Sequence, residues 1–244
     1  MGVPFPALKT MVTVYLLLMG NMSPVVTSST RLSRVREIAS RVVTPGSSLH
    51  GVSLKDLAET KYGVTCAIQV ENWTKFSLKD PKIQINGGVT TTTAIGIEPG
   101  KREAFAVRKT AGTATGASGT VSWELDGARR RFVIMWSVPY DFNLYSSWMA
   151  MGMTREGLVA PNKNWFDQMY YHGNDGDLTF ARKKVYHDTS SFIYSNDKFE
   201  AEGDMTNTYH AQVKVVIRPS SNKFKNLAPE ILQELKEKRP APDS

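Results

Sequence analysis

The chain has 244 residues, 41% of them hydrophobic and 10% aromatic, which is enough to build a core and excludes a wholly disordered polypeptide. Its 30 basic against 23 acidic residues leave a net charge of +7, which points to anionic partners, either nucleic acid or a lipid surface. A single cysteine excludes an internal disulfide, so stability outside the cell must come from packing.

Residues 1–30 carry one charge, Lys9. The apolar run at 11–20 is about ten residues, too short for a bilayer core of roughly 30 Å and of the length of a signal-peptide core. Small and polar residues at 23–29 follow it. Residues 1–30 therefore read as a leader for export. Residues 31–43 read as an amphipathic helix, with Leu32, Val35, Ile38, Ala39, Val42 and Val43 on one face. Pro45 ends it. Residues 46–61 read as a second, poorer helix, in which Leu49, Val52, Leu54 and Leu57 scatter and Gly51 weakens the pattern.

From Val64 the apolar period changes to two. Residues 64–70, 82–86, 120–125, 131–136 and 211–217 read as strands. Asp126-Gly127 marks a two-residue hairpin between the third and fourth of these. Residues 164–172 lack alternation and suit a short helix. Short strands with Gly-rich turns predict a mainly β fold, an antiparallel sandwich or barrel. No repeat of fixed period is present. The tail from Ser220 reads as an appendage, with an exposed helix at 229–239 carrying Ile231, Leu232 and Leu235 on one side, ended by Pro240-Ala241-Pro242.

Catalytic signatures are missing. There is no phosphate-cradling glycine loop, no paired-cysteine metal site and no serine in a nucleophile elbow. The four histidines, His50, His172, His187 and His210, have no metal-ligand spacing. Asn174-Asp175-Gly176-Asp177 lacks the spacing and closing glutamate of a calcium loop and reads as a turn. Cys66, inside a strand, reads as an inert buried thiol. No enzyme, metal or cofactor is expected.

Two aromatic clusters remain, at 136–148 and at 165–171. The first leaves its strand at Pro139, which cannot donate to a sheet ladder, so the rest is loop. Tyrosine and tryptophan concentrate where an apolar phase meets a wet one, and tyrosine faces attract quaternary ammonium groups such as choline. The rings can equally cap one end of a sandwich core. The residues alone leave both readings open.

Ser137-Val138-Pro139-Tyr140-Asp141-Phe142-Asn143-Leu144-Tyr145-Ser146-Ser147-Trp148-Met149, the helical motif at 166–171 and Ala114-Thr115-Gly116-Ala117 resemble the signature of the actinoporins. These are sea-anemone pore-forming cytolysins with marine-snail members of the echotoxin, conoporin and tereporin type. The match runs faintly from about Gly46 to Ile217. The resemblance implies a ten- to twelve-strand β-sandwich flanked by two helices. It also implies a secreted monomer that binds phosphocholine headgroups, especially of sphingomyelin, then oligomerises and inserts an N-terminal amphipathic helix to form a cation-permeable pore. Carried over by position, the headgroup pocket would be Thr113, Ser137, Pro139, Tyr145, Phe166, Tyr170 and Tyr171. Thr113 stands for a usual valine and Phe166 for a usual tyrosine. Leu144 and Met149 replace membrane-dipping tryptophans, and Trp148 is retained. The family's Arg-Gly-Asp is missing after Tyr171. The sequon Asn72-Trp73-Thr74 is expected to be unoccupied or off the docking face.

On this reading residues 1–30 are the leader, 31–45 an amphipathic or propeptide helix, 46–219 the sandwich and 220–244 a C-terminal extension. The pore helix would draw on Leu32, Val35, Ile38, Val42, Leu49, Val52 and Leu57. Either both segments insert as one kinked rod, or 31–43 is a propeptide. Partners would be sphingomyelin or phosphatidylcholine membranes and further copies of the chain. The alternative is a lectin-like module on the same fold that grips a lipid or glycan and never inserts. Nucleic-acid binding draws only on the net charge and on the basic runs at 129–131 and 182–184, and export argues against it.

Overall fold

The computed structural model describes residues 28–237, so the apolar core of the leader and the Pro-Ala-Pro terminus lie outside the described residues. The chain runs through helix α1 (Ser28–Val42), strand β1 (Thr44–Pro45), a 3-10 turn (Ser47–Leu49), α2 (Leu54–Ala58), β2 (Thr65–Asn72), β3 (Leu78–Gly87), β4 (Val89–Thr92), β5 (Lys101–Arg108), β6 (Ala117–Leu125), β7 (Arg130–Val138) and β8 (Ser147–Thr154). It continues through α3 (Trp165–Tyr171), β9 (Leu178–Val185), β10 (Phe192–Ser195), β11 (Phe199–Met205), β12 (His210–Pro219), a second 3-10 segment (Ser221–Asn226) and α4 (Pro229–Glu237). Among the described residues, no helix is long and apolar enough to cross a membrane.

The strands form a β-sandwich of a seven-stranded and a five-stranded sheet. The first has the order β1-β5-β2-β12-β11-β10, with β4 also on β5; the second has the order β3-β6-β7-β8-β9. Pairing is antiparallel except β1 with β5 and β2 with β12. Inward-facing residues of the two sheets meet around Trp123, Trp136 and Phe105, all buried. Phe105 meets the two indoles edge-on, with centroids 6.3 and 5.6 Å away, the arrangement that ring quadrupoles favour. Cys66 is buried in this core, and burial pushes its thiol up, which keeps it protonated and inert.

Helices cover the outer faces. On the seven-stranded sheet, α2 sits on the small side chains Ala67, Ala104 and Ala106, and α1 packs beside it with the C-terminal segment. On the other sheet, α3 lies across Val133, Met135 and Ala150.

Four expectations change. Residues 46–61 are not one helix: Glu103 accepts from the amides of Ser47 and Ser48 and caps the start of the 3-10 turn, Gly51 takes φ +72°, and Ser53 caps α2 afresh. Leu49 is consequently buried, Leu57 half-buried and Val52 exposed. The hairpin turn has four residues, 126–129, with Gly127 and Arg129 both at positive φ. The tail is no detached appendage, because Phe224, Leu227, Ala228 and Ile231 are buried against α1. The amphipathic helix also differs in extent, running Ser28–Val42 rather than 31–43.

Asn72 is fully buried. Its amide donates to the carbonyls of Phe76 and Ile97, and its oxygen accepts from Thr74. A glycan on that nitrogen is incompatible with this fold.

Candidate functional site

Strand alternation sets the site. On β7, Trp136 and Val138 point into the core, so Ser137 points outward with Val133 and Met135, onto the face that α3 covers. Trp148 pairs with Ser137 across β7 and β8 and shares that outer face. Tyr170, on the last turn of α3, completes the group. Its ring meets Trp148 edge-on at 5.9 Å, stacks on Phe166 at 5.5 Å and 14°, and meets Tyr171 edge-on at 4.6 Å. Arg182 steadies this corner: Nη1 donates to the carbonyls of Met169 (3.0 Å) and His172 (3.3 Å), and its guanidinium lies 5.4 Å above Trp148.

The chain leaves β7 at Pro139, and Asp141 folds the next residues into one turn. The Asp141 carbonyl accepts from the amides of Leu144 and Tyr145, and its carboxylate accepts from that of Asn143. The turn projects Leu144 and Tyr145 outward, 73% and 64% exposed, although both are large and apolar. Tyr140 and Tyr171 are exposed beside them, at 47% and 68%. Single exposed hydrophobes need no explanation, but four around one opening do.

Between the loop and α3 lies a cleft of about 390 Å³, walled by Ser118, Ser137, Pro139, Tyr145 and Tyr170 and floored by Gly116. A side chain at Gly116 would place its Cβ 1.9 Å from the Val138 carbonyl oxygen, so only glycine lets the two segments close the floor. Burial raises the Tyr170 hydroxyl above its usual value; Tyr171 adds to the shift and Ser137 opposes it. The cleft therefore offers hydroxyl donors beside tyrosine faces, with half-buried Asp141 the charged residue of its lining.

Of the pocket residues expected from sequence, Ser137, Pro139, Tyr145 and Tyr170 line the cleft. Phe166 is buried behind Tyr170, and Tyr171 stands on the rim. Thr113 is not in the lining: its hydroxyl donates to the Thr110 carbonyl and contacts Thr115. Leu144 is on the exposed rim and Trp148 is half-buried beneath it. Met149 is a correction. It is fully buried in the sandwich core, because neighbours in a strand face opposite ways and Trp148 already faces out.

Sequence reasoning missed Ser118, Gly116 and Arg182. Ser118 sits opposite Ser137 in the β6–β7 register, which a four-residue turn sets and a two-residue turn would have slipped. Arg182 sits in a basic run that reads as solvated surface. Among the described residues no cluster could hold a metal ion, and Asn174–Asp177 is a turn whose side chains accept from backbone amides.

The Sea anemone cytotoxic protein family model matches residues 52–218. The chain is 66% identical over 243 residues to Conoporin-Cn1 of Conus consors, covering 99% of this chain and 98% of that one. It is 51% identical over 190 residues to Tereporin-Ca1 of Terebra anilis, covering 76% of this chain and 100% of that one. The fold is similar to that of the lipid binding protein Nakanori, with a TM-score of 0.53 at 16% identity, covering 84% of this chain and 95% of that one. The chain therefore belongs to the sea anemone cytotoxic protein family, the actinoporins, among its marine-snail members.

Proposed function

We propose that the protein is a secreted pore-forming toxin that captures phosphocholine headgroups, sphingomyelin's among them, in the cleft beneath Tyr145. The observation that carries this reading is the pairing of hydroxyls at Ser118, Ser137 and Tyr170 with a rim of exposed rings and Leu144. The hydroxyls can donate to a phosphate, and the tyrosine faces can take the trimethylammonium group, at about 0.5–2 kcal/mol per ring. Burying Leu144 in the acyl boundary adds roughly 1.5–3 kcal/mol. Phe166, stacked behind Tyr170, carries no hydroxyl, so phosphate contact rests on the residues in front of it. No catalytic step is needed.

Perforation follows by insertion of the N-terminal segment after self-association on the membrane. As a helix of 15 residues at about 1.5 Å each, α1 spans about 22 Å, short of a hydrocarbon core of roughly 30 Å. Insertion therefore draws on Leu49, Val52 and Leu57 as well, in one rod continuous with Leu32, Val35, Ile38 and Val42. That rod forms only if the pairing of Thr44 and Gly46 with β5 and the Glu103 cap on Ser47 and Ser48 break. Deleting residues 31–43 and finding unchanged leakage would end this two-segment account.

The binding half is tested with flotation on phosphatidylcholine vesicles, with and without sphingomyelin, alongside calcein release. The double variant Tyr145→Ala, Tyr171→Ala should lose vesicle binding with an unchanged melting temperature, because both rings are exposed. Retained binding would show that the rings only cover the sheet end.

A further inference from the structure

Both ends of the described chain lie outside the residues that match the family, 52–218, and they pack on each other. The apolar stripe of α1, Val35, Ile38 and Ala39, is 0–1% exposed. What buries it is chiefly the tail: Phe224, Leu227, Ala228 and Ile231, with Leu232 and Leu235 at the edge. The sheet contributes only Trp73 and Val216 to the same cluster. The backbone of α1 runs chiefly against α4 rather than against any strand.

Ions border the contact. Arg41 of α1 lies 3.9 Å from Glu234 of α4, and the Arg31 guanidinium sits 5.0 Å from the Phe224 ring centre. Arg36 pairs with Glu202 on β11. The tail, by contrast, is bolted to the sandwich. The Ala228 amide donates to the Trp73 carbonyl, and the Lys75 amide to that of Asn226, each at 2.8 Å. The buried Asn72-Trp73-Thr74 segment is thus the tail's anchor.

We infer that the C-terminal segment from Phe224 through α4 is a clasp that holds α1 against the sandwich and restrains the toxin until it opens. While the clasp is shut, the face of α1 that lipid would take is already covered. Helix release then requires an exchange of apolar partners, tail for bilayer, with little net exposure to water. The clasp rests on the pore-forming reading for its consequence, but not for its existence.

The test joins the two helices covalently. Arg41→Cys, at an exposed site, and Glu234→Cys, at a half-buried one, are bridged with a short bis-maleimide; buried Cys66 is protonated and does not react. The bridged protein should bind phosphocholine vesicles as the unbridged one does, and release calcein at least about tenfold more slowly, a change of about one power of ten in rate. Equal release at equal binding overturns the clasp. A second variant needs no membrane. Ile231→Asp places a charge in the contact and should raise amide hydrogen exchange throughout α1 while α3 exchanges as before. Unchanged exchange in α1 overturns the clasp whether or not the protein makes pores. Raised exchange in a protein that never releases calcein upholds the clasp and removes the pore-forming reading instead.

Discussion

Two helices lie on opposite faces of this sandwich, and they are held in different ways. Helix α3 sends Trp165, Phe166 and Met169 straight into the sheet, onto Val133, Met135 and Ala150, and Arg182 of β9 ties its last carbonyls. Helix α1 spends its apolar face on another terminal segment and reaches the sheet through Arg36 at the edge. The helix that presents Tyr170 and Tyr171 must keep them fixed for recognition, since a binding site loses affinity when its rings have to be ordered afresh. A helix that must leave is better held by a partner that can be exchanged. The contrast follows the family match, which includes α3 and excludes α1.

The strongest way to break the contrast is to unseat α3. Trp165 is 3% exposed and fills the space between the helix and the sheet. Trp165→Ala should cost about 3–5 kcal/mol, read as a lowered melting temperature. Vesicle binding should fall with it, because Tyr170 and Tyr171 lose their seat, while hydrogen exchange in α1 stays as it was. Binding that survives the loss would mean the rings are positioned by the β7–β8 loop alone.

A milder change addresses the same end of the helix. Arg182→Met keeps much of the side-chain volume and removes the donor to the carbonyls of Met169 and His172. The expected cost is about 1–2 kcal/mol, since the bond to Met169 is part-buried while the His172 carbonyl lies near solvent, where water replaces part of the bond. Affinity for phosphocholine vesicles should weaken by severalfold through disorder at Tyr170, with the lipid preference kept. If titration against vesicles gives the native affinity, the stack on Phe166 suffices to hold the ring.

Much of this was legible in the chain. Strands β2, β6 and β12 show their period because outward residues such as Gln69, Ser122 and Lys214 are polar while the inward ones are apolar. Strand β5 does not, because Ala104, Phe105, Ala106 and Val107 are buried on both sides, between the core and α2. Strand β11 does alternate, but with Ala201 and Gly203 as its inward residues, which carry little apolar signal. The motif at 137–149 located the site, yet resemblance placed Trp148 and Met149 together at the lipid face, where a pleated strand forbids it. The Asp126-Gly127 turn was read two residues too short. A slip of two keeps every residue on its face while changing its cross-strand neighbour, so the sheet was legible and the Ser118–Ser137 pair was not. The tail's docking was invisible because Leu227, Ala228 and Ile231 have no sequence mark that names their partner.

The smallest expected effect concerns acid. Burial raises the Glu202 carboxyl, but Arg218 and Arg36 outweigh it, and the group ends below its usual value of 4.5. A carboxylate depressed in the folded state stabilises at neutral pH, and that contribution is lost as the pH falls below about 4.5 through the folded value. Facing it are Arg36 from α1, Arg218 from β12, Glu200 and Asp204 along β11, Lys214 opposite Asp204, and the Ser191 hydroxyl. Asp204 lies on the other side of this balance: burial raises it, Lys214 opposes the rise and Glu202 adds to it. Protonating Glu202 takes from Arg36 the carboxylate it pairs with, so the change reaches α1. Hydrogen exchange in α1, corrected for the intrinsic rate, should therefore rise modestly on acidification while α3 stays level. Glu202→Gln should show that rise already at neutral pH and no further acid response in α1. An acid response of the same size in the Gln variant would overturn the assignment to Glu202.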